Sequence, residues 1–194
     1  MPIISRMTPW TVAREGTVDP AGHADIASTL RAAFPTYPGA FEGRRSWAGA
    51  RPELRVTIRD DAGVAAHAGV LRRFIQVVGP DRTVEQLVAV VGLVAVRPDR
   101  QGSGIGRQIG AGIAAALDEL AVPFGLLGCN EPVRGFYRSI GWQPLPPTRS
   151  FYCPLDVEDP ARVVDSSDGW FVLPVTEPFD RWPGGDLHWN GSQV

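Results

Sequence analysis

VAVRPDRQGSGIGRQI, residues 94–109, decides the fold of this chain. An apolar run, Val94-Ala95-Val96, ends in the charged proline turn Arg97-Pro98-Asp99-Arg100. A glycine-spaced loop, Gln101-Gly102-Ser103-Gly104, then leads straight into an amphipathic helix that opens with Ile105-Gly106-Arg107. The first amides of a helix have no intrahelical partner and sit at the positive end of its dipole. Glycines that let a ligand approach them make an anion cradle. The spacing Gln-x-x-Gly-x-Gly is not that of a nucleoside triphosphatase loop, because no Lys-Ser/Thr pair follows. Nor is it a dinucleotide loop, which needs three spaced glycines and an acid about 20 residues later.

Around this loop the 194 residues fit a single domain, 1–194, large enough to bury a core without metal or disulfide staples. A net charge of -2 and an isoelectric point near 5.9 give no electrostatic case for nucleic acid or an anionic membrane as partner. The two cysteines, Cys129 and Cys153, do not form a disulfide framework, and no Cys/His spacing suits zinc, so no metal is expected. The start, Met1-Pro2-Ile3-Ile4-Ser5-Arg6, lacks an apolar signal core, and no apolar run reaches membrane-spanning length. These features predict a cytoplasmic protein, and they leave a homodimer open.

Outward from the loop, periodicity predicts a mixed sheet with helices on both faces. Trp10 to Arg14, Leu54 to Arg59 and Val64 to Val78 read as strands, the last long enough to be bent or bulged. Thr83 to Val96 reads as the central strand, almost wholly apolar from Leu87 on and therefore buried on both faces. Ala24 to Phe34 carries apolar residues four apart and reads as a helix ended by Pro35 and Pro38. In Ser103 to Leu120, Ile105, Ile109, Ile113 and Leu117 mark one face of the most secure helix. Phe124 to Gly128 reads as a short strand parallel to the central one across a right-handed crossover. A short helix from Glu131 to Ser139 follows, ended by Gly141. Ser150 to Leu155 and Trp170 to Val175 read as further strands.

A second signal lies in Phe136-Tyr137-Arg138-Ser139-Ile140-Gly141-Trp142, a tyrosine on a short helix just before a strand start. The order is apolar strand, Gly loop with helix, strand, Asn130, Tyr helix, Gly141. In that order the chain resembles the GNAT superfamily of acyl-CoA-dependent N-acyltransferases. The resemblance implies an α/β fold with a mostly antiparallel central sheet, splayed where the cofactor binds. Within the superfamily, Phe41 to Arg55, Ala65-Ala66-His67 and Leu71-Arg72-Arg73-Phe74 look like the nodulation-factor N-acyltransferases. Those acylate the free amine of a chitin oligosaccharide with long chains drawn from a carrier protein. Arg134 to Trp142 and Asp168 to Pro174 look more like the aminoglycoside 2′-N-acetyltransferases, and Trp182 to Leu187 echoes both. Both families place a Glu on the central strand near the position of Val90 to Gly92, a patch that is apolar here.

The resemblance implies an acetyl-CoA or other acyl-CoA donor and a small-molecule amine acceptor, an amino sugar or aminoglycoside-like compound. A natural-product or lipo-oligosaccharide acyltransferase fed by an acyl carrier protein and a non-catalytic acyl-CoA-binding module are the alternatives. By the same resemblance, backbone amides around Val94, Ala95 and Val96 polarise the thioester carbonyl. Amides from Gln101 through Gly102, Ser103, Gly104, Ile105, Gly106 and Arg107 hold the pyrophosphate, with charge from Arg100 and Arg107. Tyr137 matches the family tyrosine that protonates the leaving thiolate. Asn130 suits either the pantetheine arm or a helix cap. For the base, His67 is a candidate and equally a satisfied core histidine; Glu42 and Glu85 are the carboxylate candidates. Asp168 and Asp186, with Glu42, suit attraction of a cationic amino sugar, although both aspartates lie in turn-like sequence. Trp47, Trp182 and Trp189 suit either stacking on sugar rings or the core.

Overall fold

The computed structural model describes residues 9–37, 39–153, 163–166, 169–189 and 191–193. Strand β1 (Thr11–Arg14) is followed by helix α1 (Pro20–Ala33). The helix begins earlier than periodicity suggests because Asp19 caps it, accepting from the Gly22 amide at 2.7 Å, and Pro20 stands at the first helical position. Strands β2 (Leu54–Asp60), β3 (Gly63–Val78) and β4 (Thr83–Val96) form an antiparallel meander. Helix α2 (Ile105–Leu120) crosses to β5 (Phe124–Cys129), which lies parallel to β4. Helix α3 (Glu131–Ser139) and the short strands β6 (Gln143–Pro144), β7 (Ser150–Tyr152) and β8 (Val164–Ser166) come next. Strands β9 (Gly169–Pro174) and β10 (Asp186–Trp189) complete the sheet.

The sheet order is β6-β9-β5-β4-β3-β10-β7-β8, and β2 with β1 pairs the first half of β3. The long β3 thus holds β2 along Gly63–Val70 and β10 along Ile75–Val78. Among the described residues parallel pairing is confined to β4 with β5 and β10 with β7. One face packs α2: Ile105, Ile109, Ile113 and Leu117 meet Leu54, Val56, Ala89 and Val91. The other carries α1, whose Ile26, Ala27 and Leu30 pack with Phe41, Val64 and Ala95. Helix α2 starts at Ile105 rather than Ser103 because Gly104 adopts φ +85, outside the helical region. Among the described residues no helix is long and apolar enough to cross a membrane. The tail of the expected strand Ser150 to Leu155 lies outside the described residues beyond Cys153.

Candidate active site

The site grows from an irregularity in β4. Its pairing with β3 runs Val91↔Val70 and Gly92↔Gly69, then resumes at Ala95↔His67. Leu93 and Val94 therefore stand opposite Ala68 alone, a β-bulge, and Leu93 takes the left-handed φ +52. The extra residue reverses the alternation of side chains. Ala89 and Val91 pack in the α2 cluster, but beyond the bulge it is Val94 and Val96 that reach that cluster, while Ala95 packs with α1.

Strand β5 parts from β4 at the same level. They pair only from Val88↔Phe124 to Val90↔Leu126, while β5 stays paired with β9 to Cys129↔Gly169. Into this splay opens a cavity of about 990 Å³. Residues Val90–Val94 of β4 form one wall and Gly128, Cys129 and Asn130 another. Phe34, Phe41 and Arg45 come from the chain after α1, Trp170 and Trp189 from β9 and β10, and Tyr137 from α3. The lining is mostly aliphatic and aromatic; among the described residues Arg45 is its one charged side chain and no carboxylate contributes.

Glycines fix Tyr137 there. A Cβ at Gly106 would lie 3.3 Å from the Phe136 ring, and one at Gly110 would lie 2.8 Å from Ile140, so the bare glycine face of α2 seats these two side chains of α3 and its C-cap. Tyr137 sits among Phe136, Trp142 and Phe171, 7% exposed. Burial, with Cys129 beside it, pushes its hydroxyl pKa well above the usual phenol value, so it stays a proton donor at neutral pH. Asn130 precedes α3, but its side chain makes no cap bond, and it lines the cavity.

The strand continues past the cavity to the glycine loop. Gly102 and Gly104 adopt φ +75 and +85, and no Cβ-level neighbour lies within 4 Å of either. Gln101 through Gly104 are exposed, and the amides of Gly102, Ser103 and Gly104 make no backbone hydrogen bond among the described residues. Arg97 rigidifies the approach, donating to Asp60 at 2.8 Å and to Asp99 at 2.6 Å, and Gln101 Nε2 donates to the Val96 carbonyl at 3.3 Å. Arg100 leans toward Asp60 at 3.4 Å rather than over the loop, while Arg107 is exposed beside it. The loop has the open amides and lack of bulk that an anion needs.

Not every expected residue joins this assembly. His67 is fully buried outside the cavity lining, with both ring nitrogens engaged. Burial first, then the Arg55 cation, holds its pKa down to about 3. It has no access to an acceptor amine. Ala95 and Val96 also stand outside the lining; the strand residues that face the cavity are Val90–Val94. Glu42 is exposed between the lining residues Phe41 and Arg45 without lining the cavity itself. Trp47 packs on His23 and under the Arg51 guanidinium, 4.3 Å from its ring centre, away from the cavity. Trp182 packs on Phe124, and Asp186 accepts from the Arg149 amide at 3.1 Å, anchoring β7 to β10. Glu85 sits in β4 opposite Gln76, far along the strand from the splay. Asp168 lies outside the described residues. Of the tryptophans, Trp189 reaches the cavity, joined by Trp170, with ring centres 5.3 Å apart. The bulge had one sequence signal, a glycine inside a valine-rich strand at Gly92. The stretch Gly39 to Ala50, which mixes aromatics, charges and glycine without a clean period, suited a loop over a cleft as well as plain surface, and it supplies Arg45; nothing in the local sequence marked Trp170 as a cavity residue. Among the described residues no group of three or more His, Cys, Asp or Glu is placed to hold a metal.

A splayed mixed sheet with a bulged central strand, a glycine loop at a helix start and a tyrosine helix define a GNAT-type acyltransferase. Solved structures bear out the fold. A GNAT family N-acetyltransferase (YhbS) from Escherichia coli in complex with CoA aligns at TM-score 0.60 and 16% identity, over 97% of this chain and 94% of that one. A GNAT family acetyltransferase from Brucella melitensis in complex with acetyl-CoA aligns at TM-score 0.55 and 21% identity, over 95% and 97%. The particular family follows from sequence: the profile of nodulation protein A matches residues 5–194, and the chain belongs to that family of N-acyltransferases. Nodulation protein A of Bradyrhizobium elkanii is 40% identical over 92% of this chain and 87% of its own length. That of Azorhizobium caulinodans is 39% identical over 99% of this chain and 87% of its own.

Proposed function

We propose that this chain transfers a long acyl group from a phosphopantetheine thioester to the primary amine of a chitin-type amino-sugar oligosaccharide. The observation that carries the reading is the cavity in the splay. At about 990 Å³ it stands at the upper end of the range for small-molecule sites, and Phe34, Phe41, Leu93, Trp170 and Trp189 are among its lining residues. Such a space is oversized for an acetyl group and suits an alkyl chain, whose burial is worth about 0.8 kcal/mol per methylene. Family membership supports an oligosaccharide acceptor, and it weighs against the aminoglycoside reading. The donor's phosphates rest on the open amides of Gly102–Gly104, since the Gln101 amide donates to the Pro98 carbonyl, and the donor's arm enters the splay past Asn130.

In the transfer, the neutral amine nitrogen bonds to the thioester carbonyl carbon and the carbon–sulfur bond breaks; the Tyr137 hydroxyl gives its proton to the leaving thiolate, and the proton that the nitrogen sheds on becoming an amide restores the Tyr137 hydroxyl through water. Donors along the bulged wall at Gly92–Val94 face the carbonyl oxygen as it gains charge. With no carboxylate in the described lining and the Arg45 cation at its edge, an ammonium is disfavoured there, so the amine loses its proton to water as it enters.

The test is mass spectrometry of a chitin tetramer bearing one free amine, with an aminoglycoside as a parallel acceptor, each incubated with palmitoyl-CoA, acetyl-CoA or a palmitoylated carrier protein. N-palmitoylated tetramer is the expected product, from either palmitoyl donor. Acetylation alone, or turnover only with aminoglycosides, overturns the reading.

A further inference from the structure

We propose that His67 is a positioning residue for acyl transfer: bonded between Arg55 and the carbonyl of Leu93, it fixes that carbonyl and so the bulge that walls the cavity. The proposal rests on the acyl-transfer reading only for its kinetic arm.

The hydrogen-bond inventory leaves one tautomer. Leu93 O lies 2.9 Å from His67 Nδ1 and is purely an acceptor, so Nδ1 carries the proton. Arg55 Nη1 lies 3.1 Å from Nε2 and is purely a donor, so Nε2 is bare. A second ring proton would point at a guanidinium.

Arg55 is itself fully buried, and each of its N–H groups is spent. Nε and Nη2 donate to Glu15 at 2.6 and 3.3 Å. Nη1 donates to the Ser46 carbonyl at 2.7 Å as well as to His67, and Nη2 also reaches Ser46 Oγ at 3.0 Å. From the other elements around the ring, His23 on α1 meets Ser46 Oγ at 2.8 Å, and Arg51 pairs with Glu15 at 2.9 Å. One guanidinium therefore ties together both sides of the cavity. Ser46 belongs to the loop that supplies Phe41, Arg45 and Ala48 to the lining, and His67 reaches the strand that supplies Gly92, Leu93 and Val94.

The bulge needs such a hold. A leucine held in the left-handed region is strained and persists only where its surroundings enforce it. The carbonyl that His67 grips belongs to the left-handed residue itself. Releasing it lets β4 relax toward regular pairing with β3, which would turn the peptides lining the cavity.

The experiment combines ¹⁵N-histidine NMR of the whole protein with kinetics of His67→Asn and His67→Ala. We expect His67 protonated on Nδ1 alone, with no titration from about pH 8 to about pH 5. His67→Ala should shift the amide signals of Gly92 to Val96 and lower kcat about a hundredfold with a smaller change in KM for the acyl donor. His67→Asn, whose side-chain N–H reaches the same carbonyl, should restore most of both; if His67→Ala fails to fold, the asparagine variant and the NMR carry the test. A ring that titrates in the ordinary histidine range overturns the proposal. So do unchanged Gly92–Val96 signals in His67→Ala, or loss of one limb of the pH–rate profile in His67→Asn, which would mark a base. If the wild-type protein transfers no acyl group at all, the functional reading fails while the NMR still decides the role of His67.

Discussion

Gly104→Asp, set against Gly104→Asn, tests the glycine loop by charge alone. Position 104 holds φ +85 just before α2, and a Cβ there would meet nothing within 4 Å. Asparagine and aspartate are the non-glycine residues that tolerate a left-handed backbone best. Both also suit a helix start, and an aspartate carboxylate is favoured there by the dipole, so the two variants should melt within a few degrees of each other. Their effect on a bound pyrophosphate differs. A carboxylate about 5 Å from a phosphate charge is repelled by about 0.8 kcal/mol at the dielectric of water and about 3 kcal/mol at an effective value near 20. Two phosphate charges double this to about 2–6 kcal/mol, a loss of more than tenfold in affinity. Calorimetric titration with CoA reads it directly. We expect weak or absent binding for Gly104→Asp and measurable binding for Gly104→Asn, with the gap narrowing at about 1 M salt, where the screening length falls to about 3 Å. Equal CoA affinity of the two variants would refute the placement of the phosphates on this loop.

Tyr137→Phe removes the proton donor and keeps the ring among Phe136, Trp142 and Phe171; kcat should fall about a hundredfold or more while CoA affinity, read by the same titration, stays put. Acid should destabilise the protein below about pH 6.5, because unfolded His67 takes up a proton there while the folded ring, depressed to about 3, does not. That loss continues until pH approaches 3, and His67→Asn should flatten it in a series of chemical melts across pH. Glu15 acts lower on the scale. Burial raises its pKa, but Arg55 and Arg51 outweigh that and hold it below 4.5, so its stabilising contribution is present above that pH and disappears as pH falls through the folded value. Gly112→Ala would drive a Cβ to within 2.5 Å of Val56 and 3.1 Å of Trp10, so it should cost about 1–3 kcal/mol of stability and lower the melting temperature by several degrees; Val56→Ala should recover part of that.

Much of the fold was legible because its strongest elements announce themselves locally. Thr83–Val96 and Glu131–Ser139 appear with the bounds that pattern and glycine punctuation predict. The start of α1 was hidden because its first turn, Pro20 to His23, has no apolar periodicity, although Asp19-Pro20 is a cap signal. Strand β10 was hidden for another reason. Four residues at the end of a proline- and glycine-rich stretch become a strand only because the far half of β3 offers them an edge, Asp186↔Val78 to Trp189↔Ile75. The candidate site divides the same way. The loop and the tyrosine helix are contiguous motifs, whereas Arg45, Trp170 and Trp189 meet only through folding.

The sequence by itself determined the glycine loop and the close seat of the tyrosine helix. Glycines at 102, 104, 106 and 110 have local consequences, since two take a left-handed backbone and two remove the bulk that would hold α2 away from α3. The tertiary structure alone decided the cavity wall and the state of His67. A single extra residue at the bulge exchanges the faces of everything after Leu93, turning Val94 and Val96 toward α2 and Ala95 toward α1, and the cavity wall ends at Val94. Arg55 and His67 lie on two strands, and only their burial together, at 3.1 Å, makes one a fixed charge and the other a neutral donor. Periodicity reports which face a residue takes only while the register holds, and a pKa depends on neighbours that the chain brings in from far along its length.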